Sequence, residues 1–281
     1  MSERHPTSDA ASRKPKLPLP PVPSPETRIP PDLYCEVRDW LLANDDDGPK
    51  MMHWSNTVKP PVDAENMAAE IIWIILCAGR SAQAARTIER KVRAAIDAGE
   101  PVATAFGYRA KAAAIERAWR WRTEDFAALQ EVLKLNDPAK LLEWCYAIPF
   151  IGDDTKYQLA KNFGGQCCKP DIWMCRLVGI PDHPRRRVAE RYDACMRLCR
   201  MLSDATGDKI AAIDSMLWLA CNKGFLRTGA DAGRLNSWNW RWVTTLSLRA
   251  RQSNARQRTT SWRRSWMEGS SASSNLCGRR T

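Results

Sequence analysis

The sequence predicts an all-α protein. Two observations carry that expectation. Apolar residues recur at helical spacing in one stretch after another, and glycine, proline or acidic turns separate the stretches. The centre of the chain, residues 141–180, shows both features together. It reads as a helix, a tight hairpin, a second helix, a short loop and then a helix opened by an acid.

Taken in order, residues 1–31 are rich in Pro, Ser and Lys/Arg and include Leu17-Pro18-Leu19-Pro20-Pro21. Such a segment reads as a disordered or polyproline arm. Residues 32–44 form an amphipathic helix on Leu33, Val37, Trp40 and Leu41, ended by Asp45-Asp46-Asp47-Gly48. Three adjacent carboxylates suggest either a metal site or a solvated turn, and the turn is favoured. Met51–Pro61 reads as a loop holding His53 and Trp54; a lone His there is a structural or surface residue, or lines a pocket. Ala64 to Ala98 is strongly helical, with Ile71, Ile72, Ile74, Ile75 and Leu76 as a buried face interrupted at Gly79-Arg80-Ser81.

A turn at Phe106-Gly107-Tyr108 precedes the Ala112–Arg122 helix, where Arg117, Arg120 and Arg122 interleave with Trp119 and Trp121. That pattern fits nucleic-acid contact or a half-buried helix equally. In the central segment Leu141, Leu142, Cys145 and Tyr146 have helical spacing; Pro149 and Gly152 break the helix, and Thr155 to Phe163 resumes it. Leu159, Ala160 and Phe163 share one face, and Gly164-Gly165 stops it. Asp182–Arg191 is a basic loop leading into a helix from Val188 to Leu202. A last helix spans Asp208–Asn222, with Ile210, Ile213, Leu217 and Cys221 at core spacing.

A chain of 281 residues, 44% hydrophobic, has one large or two small domains and enough apolar surface for a sizeable core. The folded domain is expected over residues 32–226. Net charge is +11, and from Arg227 onward eleven Arg against Asp231 and Glu268 give +9, leaving +2 for residues 1–226. High basicity is therefore mostly a property of the tail, 227–281, which also carries five Trp and no clear periodicity. That tail suits nucleic-acid stacking or is an out-of-frame segment. Ten cysteines lack metal spacing and several lie on apolar faces; with no signal peptide read, they are expected as reduced thiols in a cytoplasmic protein with no metal. The Ile71–Ala78 run is too short to span a membrane.

The central segment resembles the helix-hairpin-helix DNA glycosylase superfamily, the endonuclease III-like proteins. Their hairpin reads Leu-Pro-Gly-Val-Gly, matched here by Ile148-Pro149-Phe150-Ile151-Gly152. About eighteen residues beyond, the family places its catalytic aspartate, and Pro170-Asp171-Ile172-Trp173-Met174 stands there. The similarity runs through residues 64–226 in the family's order. Cys77-Ala78-Gly79-Arg80-Ser81 stands in a turn where the family often has a Gln that fills the gap left by a flipped base. Gly79 replaces that Gln, and Arg80 is its neighbour. Tyr108 falls in a Gly-aromatic turn before a Lys-Ala helix, and Asp214-Ser215-Met216-Leu217-Trp218 matches the last core helix.

The resemblance implies two helical lobes around a cleft with Asp171 as the catalytic acid. It implies DNA contact through Ile151, Gly152, Thr155, Lys156, Arg80, Arg185, Arg186 and Arg187, and a base pocket with Tyr108 and Trp173. Double-stranded DNA is the expected partner of a monomer with no cofactor, acting in a bacterial or phage-infected cell. Lyase-competent members have a Lys where Asp154 stands, so a monofunctional N-glycosylase is expected. The four-cysteine iron–sulfur loop of some relatives is absent in its spacing. Departures at Gly79, Phe150, Asp153 and Asp154 suit a transferase on the same fold, of the thymine pyrophosphorylase kind linked to hypermodified phage DNA. A non-catalytic DNA-binding module is the third expectation.

Overall fold

The computed structural model describes residues 29–180 and 188–226. The N-terminal residues 1–28, the segment 181–187 and the tail from 227 lie outside the described residues. The described chain is helical and holds no strand. Its elements are α1 (Pro31–Asn44), α2 (Gly48–Thr57), α3 (Ala64–Cys77), α4 (Ala82–Asp97), α5 (Val102–Ala105) and α6 (Arg109–Arg120). They continue as α7 (Arg122–Lys134), α8 (Pro138–Ala147), α9 (Thr155–Asn162), α10 (Ile172–Leu177), α11 (Val188–Thr206) and α12 (Ile210–Asn222). No described helix is long and apolar enough to cross a membrane.

The first helix starts earlier than the expected arm allows. Pro31 is already helical, and Ile29 is fully buried. Residues 29–31 therefore belong to the folded domain. Tyr34 and Arg38 of α1 both donate to Asp208 Oδ2, at 2.8 and 2.9 Å, which pins α1 to the turn between α11 and α12.

The expected loop at Met51–Pro61 is largely helix. The acidic turn explains why. Asp45 Oδ1 accepts from the amides of Asp47 and Gly48 at 2.9 and 3.2 Å, and Pro49 sits in the first turn, where its missing N–H costs nothing. A Cβ at Gly48 would lie 2.3 Å from the Leu41 carbonyl oxygen, so glycine lets α2 leave α1 this tightly. Two of the three carboxylates are also paired. Lys223, at the end of α12, donates to Asp45 Oδ2 at 2.7 Å and Asp47 Oδ2 at 2.8 Å.

Two groups of neighbouring helices emerge. The flanks of the sequence, α1, α2 and α10–α12, pack among themselves, with α2 lying along α12. The middle, α3 to α9, packs around α3, which touches α4, α6, α7 and α9. One core runs through both, from Ile29 and Tyr34 to Ile75, Leu159, Met174 and Met216. The nine described cysteines are all free thiols, seven of them buried. Burial pushes the Cys145 thiol well above its ordinary range and holds Cys167 up at about 12.

Two arginines of the Arg/Trp helix are held within the fold, while Arg120 and Trp121 are exposed. Arg117 is spent in a two-pronged ion pair with Asp125, and Arg122 donates to the Trp119 carbonyl at 2.7 Å while lying over the Trp119 ring. Helix α6 stops at Arg120 and α7 restarts at Arg122, leaving Trp121 about half exposed at the corner.

Candidate functional site

Helix α8 begins under an Asp137 cap, with its side chain accepting from Ala139 and Lys140 amides, and Pro138 in the first turn. It ends at Ala147. The chain then turns at Ile148-Pro149-Phe150-Ile151, closed by the Ile151 N–H donating to the Ile148 carbonyl at 3.0 Å. Ile148 and Ile151 point inward and are buried. Phe150 takes φ +69, the left-handed region. Gly152 N–H donates to Thr155 Oγ1 at 2.8 Å, and that hydroxyl donates back to the Gly152 carbonyl at 3.3 Å. The Ile151 and Gly152 amides are thus satisfied within the hairpin. No described residue accepts from the backbone N–H groups of Asp153, Asp154 and Thr155 at the start of α9. These are the donors an anion would meet, on the positive end of the helix dipole.

Asp153 and Asp154 would repel an anion if left bare. Neither caps α9. Asp153 lies 3.4 Å from Lys156 Nζ, and Asp154 lies 3.4 Å from a guanidinium nitrogen of Arg191. Lys156 also rests against aromatic faces, 4.5 Å from the Tyr146 centroid and 5.2 Å from that of Tyr157.

Asp171 sits where the spacing puts it, as the N-cap of α10. Its Oδ1 accepts from the Trp173 and Met174 amides at 2.9 and 3.2 Å, and no described residue donates to Oδ2. Burial pushes this carboxyl up and the Asp214 charge adds to the rise; Lys169 and the two amides oppose it without prevailing. Trp173 is half-buried against the core, with the Arg176 guanidinium 5.4 Å from its ring centroid. The Pro170 carbonyl, next to the acid, accepts from Arg191 at 3.2 Å. Arg191 therefore joins the hairpin to the acid's loop through Asp154 on one side and Pro170 on the other. Sequence reading placed Arg191 only in a basic patch; Arg185, Arg186 and Arg187 of that patch lie outside the described residues.

Behind the acid lies a polar network that sequence reading missed. The Lys161 ammonium of α9 is fully enclosed and pairs with Asp214 of α12, with Ser215 Oγ at 3.4 Å. Ser55 of α2 donates to Ser215 at 3.0 Å, and Ser215 donates to the Ala211 carbonyl. The other Asp214 oxygen accepts the Lys169 amide at 3.2 Å, which fixes the loop two residues before Asp171. Burial alone would push Lys161 down; the Asp214 carboxylate outweighs it and holds the ammonium protonated. One signal was present: Asp214 stands at core spacing among Ile210, Leu217 and Cys221. A half-buried carboxyl, Glu70 of α3, accepts from Asn162 at 2.8 Å and is also pushed up by desolvation.

Arg80 follows Gly79, whose φ of +74 makes the turn, and its guanidinium lies 5.0 Å from the Phe106 centroid. The Lys111 ammonium donates to the Ile75 and Ala78 carbonyls at 2.7 and 2.6 Å, closing the end of α3. Tyr108, just before α6, is 51% exposed and meets Phe150 edge to face with centroids 6.0 Å apart. The structure therefore joins the hairpin to the loop before Asp171 through Arg191 and to Tyr108 through Phe150. No protein-family model, curated protein or solved structure matches this chain.

Proposed function

We propose that the protein is a DNA base-flipping enzyme, a monofunctional N-glycosylase that hydrolyses the bond between a damaged or modified base and its sugar. The observation that carries this reading is the setting of Asp171. One carboxyl oxygen is spent on the start of α10, the other receives no described donor, and Arg191 braces the acid's loop to a helix–hairpin–helix turn.

The chemistry follows from those parts. A phosphate held at the start of α9 fixes the DNA backbone without reading sequence. Extruding a base costs a few kcal/mol, which backbone contacts offset in part. The ionised Asp171 then stabilises positive charge developing on the sugar, or activates the attacking water. Asp154 occupies the place where a lyase would carry its amine and is paired with Arg191, so water is the nucleophile in this reading. The two helix groups act as two lobes, and the loop from α9 to Asp171 passes between them. The partner is double-stranded DNA, bound by a monomer.

Nucleosides and free bases released from source genomic DNA and from lesion duplexes are the test, read by mass spectrometry for wild type and Asp171→Asn. Free base from wild type alone supports the glycosylase. A mass gain on a DNA base when amines or amino acids are added would replace it with the transferase reading. Binding without either would leave a non-catalytic module.

A further inference from the structure

Among the described residues only Asn136 and Phe150 have positive φ without being glycine. Asn enters this region readily, because its short amide bonds to nearby backbone. Phe has no such compensation, and a bulky residue there is strained. Packing does not account for the ring, since Phe150 is 40% exposed. Glycine would satisfy the turn at lower cost. The fold thus holds an exposed aromatic ring in a conformation that the backbone alone would not select.

A second exposed ring lies against it. Tyr108 reaches Phe150 from a distant part of the chain, edge to face at 90°. Both rings stand on firm supports. Phe150 is flanked by buried Ile148 and Ile151, and Tyr108 by buried Phe106 and by the α6 turn that Lys111 ties to α3. Cations border the pair: exposed Arg109 follows Tyr108, exposed Arg80 covers Phe106, and Lys156 covers Tyr146 four residues before Phe150. The acids nearest in the hairpin, Asp153 and Asp154, are matched by Lys156 and Arg191. Two exposed rings at right angles with a cationic border offer a ring face and a ring edge to a planar base attached to an anionic backbone.

We propose that Phe150 and Tyr108 form a stacking platform for an unpaired DNA base. It rests on the DNA reading above and deepens it: the protein recognises DNA in which a base has already lost its partner. The strained Phe150 is then retained for binding, at the expense of stability.

The test uses the full chain and 2-aminopurine as probe, placed in a single strand, opposite an abasic site in a duplex, or fully paired. Anisotropy gives affinity and fluorescence quenching reports stacking. Wild type is expected to prefer both unpaired forms about tenfold over the paired duplex, the scale of one base–aromatic stack. Phe150→Gly is expected to lose most of that preference and its quenching while melting at a higher temperature than wild type. Tyr108→Ala should lose the preference without the thermal gain. A Phe150→Gly protein that melts higher yet keeps its preference would overturn the platform, as would one that melts lower. Dimers in wild type that dissociate in Phe150→Gly would reassign the rings to self-association. If wild type binds DNA without distinguishing the probes, the platform alone fails. If it binds none of the three, the DNA reading fails with it.

Discussion

A carboxylate at a helix N-terminus ordinarily titrates below its free value, because amide donors and the helix dipole favour the charged form. Asp171 goes the other way, since burial and the nearby Asp214 charge outweigh its two amide bonds. The sign has two consequences. Base release that needs the ionised carboxylate fails as pH drops through the raised value, which lies above the usual ~4. Ionising Asp171 also opposes folding at neutral pH, so removing its charge should not weaken the fold. Asp171→Asn keeps an oxygen for the Trp173 and Met174 amides. It is expected to match or exceed wild type in thermal midpoint while losing about 10²–10⁴-fold in rate. Asp171→Ala also loses the cap and should cost about 1 kcal/mol in urea denaturation. Equal activity in Asp171→Asn and wild type would reduce the residue to its cap. This aspartate was legible because its signal is local, a fixed distance after a hairpin and before a helix. Phe150 was legible only as a departure from Gly; its left-handed backbone and its contact with Tyr108 needed coordinates.

Helices were read well where a periodic apolar face and a local stop coincide, as in α3, α9 and α12. The miss at α2 has a physical cause. Its sequence, Gly48 to Thr57, has little apolar period, and the helix is secured by the Asp45 turn and by packing along α12. Tertiary contact overrode a weak local signal. The Lys161–Asp214 pair was hidden for a related reason: spacing shows which residues share a helix face, but not which two faces meet. That pair joins α9 to α12 inside the core and, through the Lys169 amide, places the acid's loop. Asp214→Ala leaves the Lys161 ammonium enclosed without its counter-charge, so the expected loss is about 3–5 kcal/mol. Changing both residues to apolar ones of similar volume should recover much of it, as measured by equilibrium urea unfolding. A single-site loss below ~1 kcal/mol would mean that water or rearrangement relieves Lys161. Because the Lys161 ammonium is held up, the stability it contributes is intact at neutral pH. It is lost only as pH rises through its raised value in the alkaline range.

At the scale of the whole molecule, the charge is divided unevenly. Residues 1–226 carry +2 while 227–281 carry +9, so the folded domain has little net field with which to attract DNA. Within that domain the hairpin cations are partly committed, Lys156 to Asp153 and Arg191 to Asp154 and Pro170. Contacts that depend on geometry and contacts that depend on charge should therefore separate along the chain. Each neutralised phosphate adds ~0.9 to the slope of log affinity against log salt. A protein ending at Leu226, which keeps the described core including its last buried residue, is expected to unfold at the wild-type midpoint. Its salt slope should be shallower by up to ~0.9 for each tail arginine that touches phosphate. Its preference for an unpaired over a paired base should be unchanged, because Phe150 and Tyr108 remain. Affinity measured at several salt concentrations separates the cases. An unchanged slope would show that the tail arginines do not engage the backbone; a lost preference would move base recognition from the hairpin to the tail tryptophans.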